Sequence, residues 1–193
     1  MRRLLPFLFF FFLISYTFAA AKQGDTEFAG IPFGSEREKV IEEILKLGYE
    51  PYGMAESADR IVIPVFMMGE LPVQVDFLFN RNGKFYSFEI RTGKVEGNRL
   101  EKVFDAIDYM GEQFNLKYGK GVKKKISEQT ELHHGVNLYK EWFAVRSLNI
   151  STAIVVNDNR YYSIGIVVHR ELAKEMQKKK QKTHEKALVK PAF

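Results

Sequence analysis

No residue of this 193-residue chain is cysteine, and that absence removes several chemistries at once. Without thiols there is no disulfide framework, no thiolate nucleophile and no zinc–thiolate centre. A lipid-bearing cysteine at a mature N-terminus is excluded in the same way. Histidine is scarce, at four residues. Only His133-His134, near Glu131, resemble a metal cluster. Adjacent side chains diverge in a helix or a strand, so two ligands at i and i+1 rarely reach one ion, and solvated loop histidines are expected there. His169 and His184 stand alone. Gly-x-Ser-x-Gly, P-loop and Gly-x-Gly-x-x-Gly patterns are missing as well. No catalytic residue, cofactor or metal is assigned. Asp76 and Glu89 flank Asn82-Gly83, with Arg91 close in sequence, and read as part of a charged, solvated sheet face.

A basic core is also absent. The net charge of +5 is concentrated at the ends of the chain. Residues 170–193 hold eight basic and three acidic residues, and Arg2-Arg3 add two more positive charges. Residues 22–169 carry 19 basic and 21 acidic side chains, so the body is slightly acidic and offers no sign of a nucleic-acid partner. Residues 170–193 read as a basic, partly helical or disordered tail, whose expected ligand at most is an anionic membrane surface, weakly held.

What is present begins with the N-terminus. Arg2-Arg3, the apolar run Leu4 to Phe18, and Ala19-Ala20-Ala21 have the order of a secretory signal peptide over residues 1–21. Ala19 and Ala21 occupy the −3 and −1 positions of a cut before Lys22, which leaves 172 residues in a periplasmic or secreted compartment. That length suffices for one substantial core.

Along the body, Ser35 and Glu38 form a capping-box pattern. Val40, Ile41, Ile44, Leu45 and Leu47 follow at helical spacing, with Gly48 as the stop, so residues 35–47 are expected to be helical. Strands are expected over Arg60 to Met68, through Val73, Val75, Phe77 and Phe79, and after the Asn82-Gly83 turn through Tyr86, Phe88 and Ile90. A second helix opens at Asn98 and carries Leu100, Val103, Phe104, Ile107, Met110 and Phe114 on one stripe. Residues 119–137 read as a polar loop. Three more strands follow: Leu138–Val145, Ile150–Val156 and Tyr161–Val168.

The two halves match in order and phase. Ile61–Met68 precedes Leu138–Val145 by 77 residues, and Val73 to Asn80 maps at the same offset onto Ile150 to Asn157. Phe85 to Ile90 then maps at 76 onto Tyr161 to Ile166. This pattern predicts a duplication: a first α+β repeat over residues 22–95 and a second over 96–169. Gly34 with Val40 six residues on, then Leu47-Gly48 and Pro51, resembles the first-helix motif of the BamE/SmpA-like domains. Tandem helix-plus-meander units are similar to β-lactamase inhibitor protein-like periplasmic domains. Both resemblances imply an exported, non-enzymatic protein that works by binding another protein.

The expected fold class is α+β, with two helix-plus-three-strand units forming antiparallel sheet and helices packed on one face. Phe77 and Phe104 are expected in the core. Phe85, Ser87, Tyr161 and Ser163 are expected on the opposite, wet face as a contact surface for another envelope or secreted protein. Two alternatives stand beside this reading: a carrier holding a small apolar ligand in a cavity lined by Phe77, Phe88, Leu100 and Phe104, and a hydrolase of unrecognised type.

Overall fold

The computed structural model describes residues 27–52, 59–123, 126, 131–143 and 147–175. Residues 1–21, with Ala19, Ala21 and the cut before Lys22, lie outside the described residues, as does the chain beyond residue 175. No helix among the described residues is long and apolar enough to cross a membrane.

The sheet decides the architecture. Strands β3 (Arg60–Met68), β4 (Leu71–Phe79) and β5 (Phe85–Arg91) form one meander, and β8 (Gly135–Trp142), β9 (Leu148–Asn157) and β10 (Arg160–His169) form another. The two meanders join through their last strands. β5 and β10 pair antiparallel from Ile164↔Arg91 to Val168↔Ser87, giving a continuous order β3-β4-β5-β10-β9-β8. The two-residue strands β6 (Val95–Glu96) and β7 (Val122–Lys123) pair with β10 and β8. A separate hairpin, β1 (Glu27–Phe28) with β2 (Ile31–Pro32), lies outside this sheet.

The expected pair of helix-plus-three-strand units is therefore overturned. One antiparallel sheet of eight strands runs through both halves, with a second sheet of two strands and, among the described residues, two helices of ten residues or more. The physical reason is the edge: an unpaired strand exposes a row of donors and acceptors, and fusing β5 to β10 removes two such edges. The helices are also unequal. α1 spans Arg37–Lys46 and α2 spans Leu100–Tyr118, nearly twice as long.

Local signals were followed in part. Gly48 and Gly119 end the two helices at φ +82° and +83°, the left-handed region where a side chain is strained. Asp158 and Asn159 are both left-handed, at φ 48° and 58°, and close a two-residue hairpin between Asn157 and Arg160. The Ser35–Glu38 capping box does not form, and α1 has no side-chain cap. The Ser35 carbonyl instead accepts from the Phe85 amide, and Glu36 pairs with Lys84 at 2.9 Å, so the helix entrance is stitched to the sheet. α2 begins after a 3₁₀ turn at Gly97–Arg99, two residues past Asn98, and the expected loop 119–137 contains β7 and the start of β8.

The core lies between helices and sheet. Val40 and Ile44 of α1 share one cluster with Phe77, Phe88 and Ile90 of the sheet and with Met110 and Phe114 of α2. Phe28 of the small hairpin fits among Phe66, Phe77 and Phe88 at ring distances of 4.1–5.6 Å. Phe77 is fully buried, and Phe104 is only half-buried against a second cluster formed by Leu100, Val103, Ile107, Tyr139 and Ile154.

Candidate functional site

The phase of β10 is opposite to the sequence expectation. Ser163 and Gly165 face α2, and Tyr162, Ile164 and Ile166 face away from it. A Cβ on Gly165 would stand 2.6 Å from Met110 Sδ, so the helix sits too close for any larger residue there. Ser163 Oγ donates to the Val103 carbonyl of α2 at 2.7 Å, which fixes helix to strand. Because side chains alternate along a strand, small residues inward place large apolar ones outward.

The face turned away from the helices thus has two unlike halves. On β9 and β10, Ala153, Val155 and Ile164 are buried and form a cluster with half-buried Tyr162 and Ile166. The register sets Val136 opposite Val155 and Leu138 opposite Ala153, so β8 extends this apolar stripe to an edge where Val136 is 71% exposed. On β4 and β5 the same face is charged. Asp76, fully buried, accepts from Gln74 Nε2 at 2.7 Å, lies 3.2 Å from Arg60 Nη1, and pairs tightly with Arg91 Nη2. Glu89 stands beside Asp76 in register and next to Ile166 across the β5–β10 seam. Asp76 and Glu89 are therefore neighbours, but Asp76 is enclosed by guanidinium groups where the sequence suggests solvent.

The four residues expected on a contact face are dispersed. Phe85 is buried in the main core, stacked on Phe33 at 4.8 Å, because a bulge next to Tyr86 turns it inward. Ser87 is buried, and its Oγ donates to the Val167 carbonyl at 2.9 Å. Ser163 is buried under α2, and Tyr161 is half-buried against the second cluster. They form no common exposed surface. Residues 119–123 and 131–143 hold other features that the sequence left unmarked. Tyr139 donates to Asp108 Oδ1 at 2.7 Å, and Lys123 Nζ lies 4.6 Å from the Tyr139 ring centre, which clips edge strand β7 to α2. Burial raises the Tyr139 phenol above its ordinary range. His133 and His134 are exposed, and no cluster of three metal-ligating side chains occurs among the described residues.

A second feature lies on the helix side. Between the C-terminal half of α2 and the β3–β4 turn is a cleft of about 480 Å³, within the usual range of ligand sites. Phe28, Phe88, Ile90 and Phe114 line its depth, and Met67, Leu116, Gln113 and Lys117 its mouth. Phe77 and Phe88 are residues of the main core, and Leu100 and Phe104 belong to the separate cluster under β9. Compared with protein-family models, curated proteins and solved structures, the chain matches none of them.

Proposed function

We propose that the chain is an exported, non-enzymatic protein-interaction module of the cell envelope whose contact surface is the face of the sheet turned away from its helices. The observation that carries this reading is the apolar cluster of Ala153, Val155 and Ile164, which no described helix covers and which opens at Tyr162, Ile166 and Val136. An apolar centre beside fixed charges has the anatomy of a protein interface, where central contacts give affinity and a polar margin gives orientation. The Asp76–Arg91–Arg60 group supplies that margin, immobilised by its own ion pairs. The partner is another envelope or secreted protein, in keeping with the signal-like residues 1–21 and with the resemblance of the Gly34–Pro51 motif to BamE/SmpA-like domains. The basic segment 170–193 adds attraction to an anionic membrane, about 1 kcal/mol per basic residue near the surface.

The test is crosslinking of tagged protein starting at Lys22 in its native envelope. Wild type should yield a defined partner. Val136→Glu, placed at an exposed position, should keep the melting temperature and lose that partner. A partner retained by both Val136→Glu and Ile166→Asp would place the contact elsewhere.

A further inference from the structure

We propose that the open edge of β8 at Val136–Leu138 pairs with the same edge of a second copy of this chain, joining two sheets across a two-fold axis at Asn137. The edge is a row of backbone groups, distinct from the side-chain face described above, so either contact can exist without the other.

The direction of those backbone groups follows from the sheet. Ser163 of β10 turns both of its own towards β5: its carbonyl accepts from the Thr92 amide at 3.0 Å, and its amide donates to Thr92 Oγ1 at 2.9 Å. Neither is directed at Ile154, the residue opposite it on β9. Hydrogen-bonded and non-hydrogen-bonded pairs alternate in an antiparallel ladder, so Ile154 directs its groups to β8 and pairs there with Asn137. Val136 and Leu138, on either side of Asn137, therefore point their amides and carbonyls away from β9.

Among the described residues, no strand covers these groups. β7 pairs only with Lys140 and Glu141. Ile126 and Leu132 pack against the helix-side cluster, and His133 is drawn to the same side by two hydrogen bonds with the Asn137 side chain, at 2.8 and 2.7 Å. The other edge of the sheet is built differently. β3 carries Pro64, a bulge between Ile63 and Phe66, and a bridge from Val62 to Tyr52, all of which oppose strand addition. Gly135-Val136-Asn137-Leu138 has no proline and no charge, and Val136 is exposed. An edge left in this state is a template for another strand.

A second copy of β8 fits the window. With the axis at Asn137, Val136 of one copy faces Leu138 of the other, and each such pair exchanges two hydrogen bonds. Both side chains lie on the outer face, so the apolar stripe runs on from one copy into the next. A straight strand laid along the window would meet β7 at Lys140. β8 avoids this, because Gly135 turns the chain at φ +99° and His133 is held on the helix side, so each copy's turn clears the other's β7. The contact is small, and its affinity is accordingly micromolar or weaker.

Sedimentation equilibrium of the protein starting at Lys22, alone and from micromolar to millimolar concentration, should show a reversible monomer–dimer exchange. Val136→Pro removes an outward N–H that β9 does not use. It should keep the melting temperature and raise the dissociation constant about ten-fold or more, the size set by two hydrogen bonds lost per dimer. Val65→Lys, at an exposed apolar position on the opposite edge, should change neither and serves as the control. Introduced thiols read the register, since the chain has no cysteine of its own. Residues 136 and 138 of opposite copies stand about 5.5 Å apart in such a pair, within disulfide reach, whereas 136 with 136 and 138 with 138 are diagonal, about 7–8 Å apart. Mild oxidation of a mixture of Val136→Cys and Leu138→Cys proteins should therefore yield the mixed disulfide dimer, and each protein alone should crosslink poorly. A chain that stays monomeric throughout, a folded Val136→Pro variant that dimerises as well as wild type, or crosslinking as efficient within one variant as between the two would overturn the proposal. An envelope partner captured by a strictly monomeric protein would likewise remove the edge pairing while leaving the sheet face in place.

Discussion

Gly165→Ala tests the seating of α2 on the sheet, because the sign of its effect depends on which way residue 165 faces. An added Cβ would lie 2.6 Å from Met110 Sδ and 3.0 Å from Phe114 Cζ, and the first of these is closer than real contacts allow. Neither neighbour has solvent to swing into: Met110 is fully buried and Phe114 nearly so. Overpacking of this kind costs about 1–3 kcal/mol. Against it stands the reduced entropy of the unfolded chain, which stabilises Gly→Ala changes by about 0.4–1 kcal/mol where the backbone permits. The net expectation is a loss of roughly 1–2 kcal/mol. Met110→Ala alone should cost about 2–5 kcal/mol. In the double variant the new methyl occupies part of the space vacated by the methionine, so the two losses should sum to about 1 kcal/mol more than the double variant shows. Urea unfolding followed by circular dichroism and by fluorescence reads this directly. Trp142 is the single tryptophan and sits 5.5 Å from the Phe114 ring, so it reports on the same contact. A Gly165→Ala protein as stable as wild type, or more stable, would refute the inward orientation and with it the apolar face on the other side.

Two further expectations follow from burial. Phe77→Ala should lower stability by about 3–5 kcal/mol, and Phe104→Ala by clearly less, since Phe77 is enclosed and Phe104 half-buried; equal losses in urea unfolding would contradict the two-cluster core. Burial near Phe33 holds the His169 imidazole below its ordinary value, against the opposing pull of Glu171. The folded state therefore takes up a proton less readily than the unfolded chain, and stability should be constant above about pH 6.5 and decline as pH falls below it. His169→Gln should flatten that decline in a pH series of melting curves, and an unchanged slope would exclude His169 as its source.

Much of the chain was legible because periodicity and punctuation agree there. Val73 to Phe79 alternates except at Leu78 and forms β4, and Gly48 and Asn157-Asp158-Asn159 end their elements as turn chemistry requires. What failed has two causes. Hydrophobicity could not reveal the phase of β10, because both of its faces are apolar or small: Tyr161, Ser163 and Gly165 on one, Tyr162, Ile164 and Ile166 on the other. The choice was made by the helix, whose close approach admits only serine and glycine, a tertiary constraint with no local signature. The β5–β10 seam was hidden for a related reason. Matching halves read as two units until pairing between partners far apart in sequence is known, and no short window contains Ile164 and Arg91 together. The same holds for Phe85, whose inward turn depends on a bulge between Leu78 and Phe79.

The reversal of β10 also bears on what the sheet is for. A strand shaped only by the need to seat α2 would carry polar residues on its outer side, as β5 does with Glu89 and Arg91. β10 instead sets Tyr162, Ile164 and Ile166 there, and β9 and β8 answer with Val155, Ala153, Leu138 and Val136 in register. Mutual shielding accounts for the centre, where Ala153 and Ile164 are buried by their neighbours. It does not account for Val136, which meets solvent at the edge of the stripe. Nor does it account for the placement of the Asp76–Arg91 pair across the seam from Ile164, where a fixed charge adjoins an apolar surface without entering it. A fully buried carboxylate held by two arginines contributes little net stability over an apolar substitute of the same shape. It does hold long side chains still, which lowers the entropic cost of meeting a partner. The apolar stripe and the ordered charges make most physical sense together, as the centre and the margin of one contact surface.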